Sequence, residues 1–250
     1  MSLEQNAIIT GGSAGLGRAL TRLLVQRGWH LTVDGRRSEL LADLESEVGS
    51  ANLVTVAGDI ADADHRAELV RRAASHGPIA LIVNNASELG GSPQPTLRDL
   101  DPGTHELLWR VNVGGPLGLV QEALPQLAEH AVIISISSDA AADHYQRWGG
   151  YGGTKAALDH QTLTWAAEEP QHSWYAVDPG DMRTAMHQAA FPGEDISDRP
   201  EPESVAPAII ALISSGLPSG RYRASDLDTL LAHEAVETMT PGAAGTGVAS

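Results

Sequence analysis

The chain of 250 residues has no cysteine, a single lysine and only 4% aromatic residues. Without cysteine there is no disulfide framework, and a cytoplasmic protein is the default expectation. No apolar run approaches the ~18 residues that a membrane-spanning helix requires, and residues 1–5 lack the pattern of a secretory signal. The scarcity of aromatic side chains predicts a core packed mainly by leucine, isoleucine, valine and alanine.

Basic residues are scarce as well, since 16 Lys and Arg oppose 32 Asp and Glu and give a formal net charge of −16. Nucleic acids and anionic membrane surfaces attract basic proteins, so this balance argues against both as partners. The same excess of acid makes any local cluster of arginines conspicuous.

Short, continuously apolar runs alternate with amphipathic stretches along the chain. Such runs are typical of strands buried on both faces, and their alternation with helices predicts a mainly parallel sheet flanked by helices on both faces. We predict one doubly wound α/β domain over residues 1–239, with its ligand crevice beyond the carboxyl ends of the strands. The predicted strands are residues 6–10, 30–34, 53–57, 79–84, 131–137 and 173–178. The predicted helices are residues 16–27, 37–48, 62–75, 104–127, 151–168 and 203–213.

Three segments interrupt this alternation. Residues 88–102 are rich in glycine, proline and polar residues, which predicts a loop at the carboxyl end of a strand. Residues 185–202 contain several prolines that exclude one regular helix, and they predict a mobile lid. Residues 240–250 are small and rich in glycine, which predicts a disordered tail.

A glycine-rich turn joins the first predicted strand to the first predicted helix. Glycine permits a tight turn and a close approach of the backbone to a diphosphate, and the helix N-terminus adds N–H donors and a positive dipole end. The spacing is G-x-x-x-G-x-G rather than the commoner G-x-G-x-x-G. We therefore predict phosphate binding at Thr10, Gly11, Ser13, Gly15, Leu16 and Gly17.

The same turn also contains G-x-S-x-G, the nucleophile elbow of serine hydrolases, with Ser13 as the nucleophile. An elbow of this kind needs earlier strands and an oxyanion donor from an upstream loop, and only ten residues precede the turn. A serine hydrolase is therefore kept as an alternative hypothesis.

Lys155, the single lysine, lies four residues after Tyr151. On a helix, residues four apart share a face, so a phenol and an ammonium group can act on one small volume. A free tyrosine has a pKa near ~10, too weak an acid for neutral pH, and a neighbouring cation lowers that pKa by favouring the phenolate. Arginine has a fixed fork and a very high pKa, so it does not replace lysine in this role. The pair predicts proton transfer to or from a substrate oxygen.

An ordered set of motifs runs along the chain, namely the glycine turn at residues 10–17, Asn84-Asn85-Ala86, Asn112, Ser138, Tyr151-Gly152-Gly153-Thr154-Lys155 and Pro179-Gly180. Together they resemble the classical short-chain dehydrogenase/reductase family over roughly residues 5–215. The resemblance implies a Rossmann-like fold and hydride transfer between a nicotinamide cofactor and a carbonyl or alcohol substrate. It also implies a homodimer or homotetramer that pairs through the helices at residues 104–127 and 151–168.

The resemblance implies a role for each of four residues. Tyr151 would be the general acid or base, and Lys155 would also hydrogen-bond the nicotinamide ribose. Ser138, thirteen residues before Tyr151, would orient and polarise the substrate oxygen. Asn112 would hold a water relay to the lysine, and the Gly-Gly-Pro that follows shortly after suits a distorted helix there.

Further contacts with the cofactor follow from the same resemblance. We expect contacts with the adenine, the adenosine ribose and the nicotinamide, in that order, at Asp59, Ile60, Asn85, Ala86, Pro179, Gly180, Met182 and Thr184. No metal ion is predicted. The chain departs from the family pattern at Ser87, where glycine is usual, and at residues 220–225, which lack the usual final glycine-rich strand signature.

The second predicted strand leads into Asp34, Gly35, Arg36 and Arg37. A carboxylate at the key position would bind the ribose 2′-OH and select NAD, but Gly35 occupies that position. Two adjacent guanidinium groups suit a 2′-phosphate, which favours NADP(H). Asp34 would favour NAD(H) if the alignment shifted by one residue, so NAD(H) is kept as an alternative.

We expect the substrate pocket between residues 88–92, residues 139–150 and the segment 185–202. Its candidate lining residues are His144, Tyr145, Trp148, Met186 and Phe191. A module that binds NADP(H) and senses redox state without turnover is a further alternative, which the intact pair of Tyr151 and Lys155 opposes.

Overall fold

The structure, a computed structural model, describes residues 5–239. The strands are β1 Asn6–Ile9, β2 His30–Gly35, β3 Leu53–Ala57, β4 Ile79–Asn84, β5 Leu127–Ile136, β6 Ser173–Asp178 and β7 Gly220–Arg223. All pair in parallel, in the order β3-β2-β1-β4-β5-β6-β7. The strand order runs one way from β1 to β3 and the other way from β4 to β7, which confirms the predicted doubly wound sheet. The predicted tail at residues 240–250 lies outside the described residues.

Helices cover both faces of the sheet, and each face has its own apolar core. The helices are α1 Gly15–Gln26, α2 Ser38–Val48, α3 Ala63–Ala74, α4 Pro102–Trp109, α5 Gly115–Ala123, α6 Gly149–Glu168, α7 Ala185–Ala190, α8 Pro202–Ala211 and α9 Ala224–Met239. In β1, Ala7 and Ile9 belong to the core under α1, α2, α8 and α9, whereas Ile8 belongs to the core under α3 to α6. All three residues are fully buried, which explains why the strand is continuously apolar. Over residues 5–239, no helix combines the length and apolar character that crossing a membrane requires.

The long helix predicted at residues 104–127 is interrupted. A π-helical segment, Arg110–Gly114, separates α4 from α5, and a short 3-10 turn, Leu124–Gln126, leads into β5. Pro116 lacks the N–H that would normally bond to the carbonyl of Asn112, which accounts for the irregular turn there. The distortion predicted beside Asn112 is therefore present. β5 begins at Leu127 rather than at residue 131, and its register with β4 shifts between Ile79 and Leu81.

The segment 185–202 consists of α7 followed by irregular chain up to α8. The end of the segment next to α8 is hydrogen-bonded to the loop after β6, since the N–H of Arg183 donates to the carbonyl of Pro200 at 2.8 Å. One regular helix is absent there, as predicted, and movement of the segment as a lid stays a prediction.

Sequence analysis did not predict β7 or α9. β7 is a four-residue edge strand with two arginines, so it lacks the apolar continuity of the central strands. Its register places Arg221 beside Ala176 and Arg223 beside Asp178, at the carboxyl end of β6.

Candidate active site

A cleft of about 470 Å³ lies at the carboxyl ends of the parallel strands. Its walls come from the loops that follow the first six strands, together with α6 and α7. The predicted site residues that line it are Gly11, Ser13, Gly15, Leu16, Arg36, Arg37, Asp59, Ile60, Asn85, Ala86, Ser138, Trp148, Tyr151, Lys155, Pro179, Gly180, Met182, Thr184 and Met186. The predicted site residues outside its walls are Thr10, Gly17, Asn112, His144, Tyr145 and Phe191.

The glycine turn forms one end of the cleft. Gly11 and Gly15 have φ angles of 64° and 50°, which residues with a side chain rarely adopt. A Cβ atom on Gly17 would lie 2.4 Å from the carbonyl oxygen of Gly11, so Gly17 allows α1 to pack closely against the turn. The hydroxyl of Thr10 accepts a hydrogen bond from the N–H of Asn85 at 3.0 Å. Thr10 and Gly17 therefore support the turn from behind.

Asp34, whose role the sequence left open, is buried and bonded on both oxygens. Oδ1 accepts from the N–H of Gly11 at 2.6 Å, and Oδ2 lies 3.0 Å from Nε2 of His65. A Cβ atom on Gly35 would lie only 2.7 Å from Oγ of Ser13. The end of β2 therefore has no room for a further side chain beside the glycine turn.

Arg36 and Arg37 follow β2 and are exposed at the rim of the cleft. Nη1 of Arg36 lies 3.2 Å from Oε2 of Glu88, so its guanidinium reaches toward the loop after β4. Asp59 and Ile60, after β3, line the same end of the cleft. This end of the cleft thus carries two exposed arginines, of which Arg36 is paired with Glu88.

Tyr151 and Lys155 lie on one face of α6 and are both buried, at 7% and 2% exposure. Nζ of Lys155 is 5.5 Å from the centroid of the Tyr151 ring and donates to the carbonyl oxygen of Ile136 at 2.8 Å. Burial lowers the pKa of Lys155 to about 8, and the carboxylate of Asp159 opposes this decrease. The ammonium is therefore still mostly charged at neutral pH and loses its proton at mildly alkaline pH.

The pKa of Tyr151 differs from the expectation. The sequence predicts that the neighbouring ammonium lowers it, whereas burial raises it, because the phenolate loses its solvation. Hydrogen bonding with the side chains of Ser87 and Ser138 opposes the increase, and the carboxylates of Asp139 and Asp178 add to it. In the protein alone, loss of solvation exceeds the effect of the hydrogen bonds that favour the phenolate.

Ser138 follows β5 and is fixed at both its side chain and its backbone. Its hydroxyl donates to Oδ1 of Asp139 at 2.9 Å and accepts from the N–H of Ala140 at 3.1 Å. Its carbonyl accepts from Nη2 of Arg221 at 2.9 Å. Ser138 also lowers the pKa of Tyr151 against the effect of burial, and both residues line the wall of the cleft.

Asn112 is fully buried in the π-helical segment. Its Oδ1 accepts from the N–H of Glu88 at 2.7 Å and from the hydroxyl of Ser87 at 3.2 Å. Its Nδ2 donates to the carbonyl of Glu88 at 2.9 Å and to the hydroxyl of Thr154 at 3.0 Å. The amide thus fastens the loop after β4 to α6, next to Lys155. A water relay to the lysine stays a prediction.

The loop after β6 forms the opposite wall. Gly180 has a φ of 73°, and its N–H donates to Oδ1 of Asp178 at 3.0 Å. Met182 is buried, and its carbonyl accepts from the N–H of Thr184 at 2.8 Å. The hydroxyl of Thr184 accepts from the N–H of His187 at 3.1 Å, which caps the start of α7.

Of the predicted substrate residues, Trp148 and Met186 line the cleft. The rings of Trp148 and Tyr151 meet edge to face, with centroids 5.7 Å apart. Phe191 packs behind Trp148 at 5.8 Å and does not reach the wall. His144 is exposed outside the cleft.

Tyr145 is likewise exposed outside the cleft, and its hydroxyl donates to Oδ2 of Asp139 at 3.0 Å. Three residues that were not named individually also line the cleft, namely Ser87, Leu89 and His187. Leu89 and His187 lie in the segments 88–92 and 185–202 that were expected to form the substrate pocket. For Ser87 the only signal was its departure from the glycine usual in the family pattern.

Comparison with known families matches residues 5–195 to the family described as short chain dehydrogenase. An uncharacterized oxidoreductase of Saccharomyces cerevisiae is 34% identical over 183 residues, which cover 72% of this chain and 71% of the yeast protein. An L-xylulose reductase of Aspergillus niger is 33% identical over 208 residues, which cover 73% of this chain and 69% of that enzyme.

Solved structures agree with these matches. The crystal structure of the yeast protein has a TM-score of 0.81 at 26% identity, covering 91% of this chain and 98% of that one. A short-chain dehydrogenase from Escherichia coli CFT073, crystallised with NADPH, has a TM-score of 0.80 at 25% identity, covering 89% and 97%. The Rossmann-like fold is therefore confirmed.

Proposed function

Because the chain belongs to the short-chain dehydrogenase family, we propose that it transfers hydride between NADP(H) and a carbonyl or alcohol substrate, with Tyr151 as the general acid or base. One observation carries the proposal. Tyr151 and Lys155 are buried side by side, next to Ser138, in the wall of a cleft that continues to the glycine turn. Such a cleft suits a long cofactor whose reactive end lies beside the phenol.

The residues of the cleft fit a nicotinamide cofactor. A Cβ atom on Gly15 would point across the cleft to within 3.4 Å of the Thr184 side chain, so glycine keeps open the space that a diphosphate requires. Beside the phenol, Lys155 would hydrogen-bond the nicotinamide ribose, and Thr184, across the cleft from Gly15, would hold the carboxamide. When bound, the cofactor supplies or accepts the hydride.

The chain's own residues would move the proton and orient the substrate. The hydroxyl of Ser138 would exchange its bond to Asp139 for one to the substrate oxygen and hold that oxygen beside the phenol of Tyr151. Because burial raises the pKa of Tyr151, the phenol is protonated at neutral pH and is ready to donate in the reducing direction. Alcohol oxidation needs the phenolate, so we expect it to be favoured at higher pH.

The end of β2 supports NADP(H) over NAD(H). The carboxylate of Asp34 is already bonded by Gly11 and His65, which leaves it poorly placed to take a ribose 2′-OH. Gly35 contributes no side chain, while Arg36 and Arg37 present two exposed cations at the rim. A 2′-phosphate would find these guanidinium groups within the same end of the cleft.

Steady-state kinetics with both cofactors test this preference. Arg36→Gln and Arg37→Gln are each expected to raise the KM for NADPH about tenfold, the effect of one lost charged hydrogen bond, and to leave the KM for NADH unchanged. Arg27→Gln is the control, since Arg27 is an exposed arginine at the opposite end of α1. Comparable kcat/KM with NADH and NADPH in the wild type would contradict the preference.

A screen of carbonyls and alcohols, read at the nicotinamide absorbance, tests the reaction itself. Tyr151→Phe is expected to reduce turnover by at least about a hundredfold, because general acid catalysis is lost. Tyr175→Phe is the matched control, since Tyr175 is also buried but donates to the carbonyl of Leu217 at 2.8 Å, away from the cleft. Full turnover by Tyr151→Phe would show that the phenol is not the acid.

The two alternatives have no specific observation in their favour. Ser13 packs against Gly35, and among the described residues no histidine hydrogen-bonds it, as a serine hydrolase would require. A sensor without turnover would not need the buried phenol and ammonium. A small-molecule substrate, a homodimer or homotetramer and a cytoplasmic location complete the proposal.

A further inference from the structure

Arg221 lies on β7, where the chain departs from the family pattern, and its guanidinium reaches over the carboxyl ends of β5 and β6. Nη2 donates to the carbonyl of Ser138 at 2.9 Å, and Nε donates to Oδ2 of Asp159 at 2.8 Å. Nη2 is also 3.7 Å from Oδ2 of Asp178. One side chain from the edge strand thus connects three elements that form the cleft.

The pair of Arg221 and Asp159 is largely shielded from solvent, with side chains 25% and 12% exposed. Oδ1, the second oxygen of Asp159, is buried and has no hydrogen-bond partner among the described residues. Loss of the arginine would therefore leave a buried carboxylate without a counter-charge.

Asp159 lies one helical turn beyond Lys155, so the two side chains share a face of α6. Lys155 nevertheless donates to the carbonyl of Ile136, while Asp159 is bonded to Arg221. The carboxylate still acts on the ammonium, since it raises the pKa of Lys155 against the larger decrease caused by burial. The other titratable and charged groups in this region are Tyr151 on α6, Asp139 after β5, Asp178 on β6 and Arg223 on β7.

We propose that Arg221 is a positioning residue of the active site. It fixes the backbone at Ser138, whose hydroxyl lies beside the phenol. It also holds Asp159, and the Lys155 ammonium therefore stays on the carbonyl of Ile136 rather than turning toward the carboxylate.

The single lysine makes this measurable without turnover. Selective ¹³C labelling of lysine gives one lysine side-chain resonance in the full-length, cofactor-free protein, and its titration reports the pKa of Lys155. Arg221→Gln is expected to raise that pKa by about one pH unit, because a nearby cation is removed and Asp159 is released. Asp159→Asn is expected to lower it, because the opposing carboxylate is lost.

Arg223→Gln is the matched control. Arg223 lies on the same strand but is 53% exposed, and it approaches Asp178 at 3.8 Å and Asp143 at 3.9 Å. It is expected to leave the pKa of Lys155 unchanged. The proposal is overturned if Arg221→Gln leaves the pKa unchanged or shifts it no more than Arg223→Gln does, with folding verified by circular dichroism. If Arg221→Gln does not fold, an unchanged or raised pKa in Asp159→Asn overturns it.

The effect on turnover rests on the function proposed above. Arg221→Gln is expected to lower kcat about tenfold, with the KM for NADPH changed less than about twofold, because a misplaced Ser138 affects the reacting end of the cleft alone. Arg221→Lys is expected to restore part of kcat, and it is used only here because it adds a second lysine. Unchanged kcat in Arg221→Gln overturns the role at Ser138. If the wild type has no turnover at all, the proposed function fails, and the lysine titration still decides the role of Arg221.

Discussion

Burial of Lys155 should make the stability of this protein depend on pH in an unusual direction. The ammonium is 2% exposed, and burial lowers its pKa from 10.5 to about 8. Between these two values the folded protein binds fewer protons than the unfolded chain does. The free energy of unfolding is therefore expected to rise with pH above about 8, and the gain is complete only above the unfolded pKa.

The size of the effect follows from the shift. The difference between 10.5 and about 8 corresponds to about 3 kcal/mol at about 1.4 kcal/mol per pH unit. Below pH 8 the folded protein keeps a charged ammonium buried and is less stable by that amount. Linkage gives a gain of about 2 kcal/mol between about pH 7 and about pH 9.5. Tyr151, whose pKa is raised by burial, lowers stability only above about pH 10, where the unfolded phenol ionises.

Urea unfolding of the wild type and of Lys155→Met, both without cofactor, isolates the lysine. Methionine retains the apolar stem without the charge, and all other titrating groups are common to both proteins. As the pH rises from about 7 to about 9.5, the unfolding free energy of the wild type is expected to increase by about 2 kcal/mol relative to that of Lys155→Met. A difference that stays constant over this range would refute a lowered pKa at Lys155.

Two further substitutions test packing and proton transfer. Gly17→Ala is expected to destabilise the fold by about 1–3 kcal/mol in urea unfolding, because its Cβ would lie 2.4 Å from the carbonyl of Gly11. Gly153→Ala, in α6 with open space around its Cβ, is expected to stabilise it by up to about 1 kcal/mol, and equal effects would contradict the close approach at the turn. Ser87→Gly is expected to move the pH profile of alcohol oxidation to higher pH, because the hydrogen bond that lowers the pKa of Tyr151 is lost. An unchanged profile would show that Ser87 does not act on the phenol.

The sheet was predictable from sequence because its central strands are buried on both faces, which requires continuous apolar runs such as Ala7 to Ile9. β7 was not predicted because an edge strand that contains Arg221 and Arg223 needs no continuous apolar run. A local distortion of the helix at Asn112 was predictable because proline and glycine act locally, whereas its π-helical form was not predicted.

What the sequence left open depends on contacts between distant residues. The role of Asp34 could not be decided from the sequence because the carboxylate hydrogen-bonds His65, which lies 31 residues later. The pKa of Tyr151 was expected to decrease because the ammonium lies four residues away in the sequence. The burial of the phenol, which raises that pKa, depends on the fold. Likewise, no local pattern connects Arg221 with Asp159, which lies 62 residues earlier.

In a chain with a net charge of −16, the positions of the few cations are informative. Arg36 and Arg37 stand exposed at one end of the cleft, where an anionic ligand group would neutralise them. Lys155 lines the other end of the cleft, where Arg221 bonds the carbonyl of Ser138. The arginine keeps its charge and bonds two partners through its fork, whereas the lysine has one carbonyl acceptor and a pKa lowered to about 8. Of these two basic side chains only lysine can lie beside a phenol and still change its protonation state, so we expect arginine to fail at the position four residues after Tyr151.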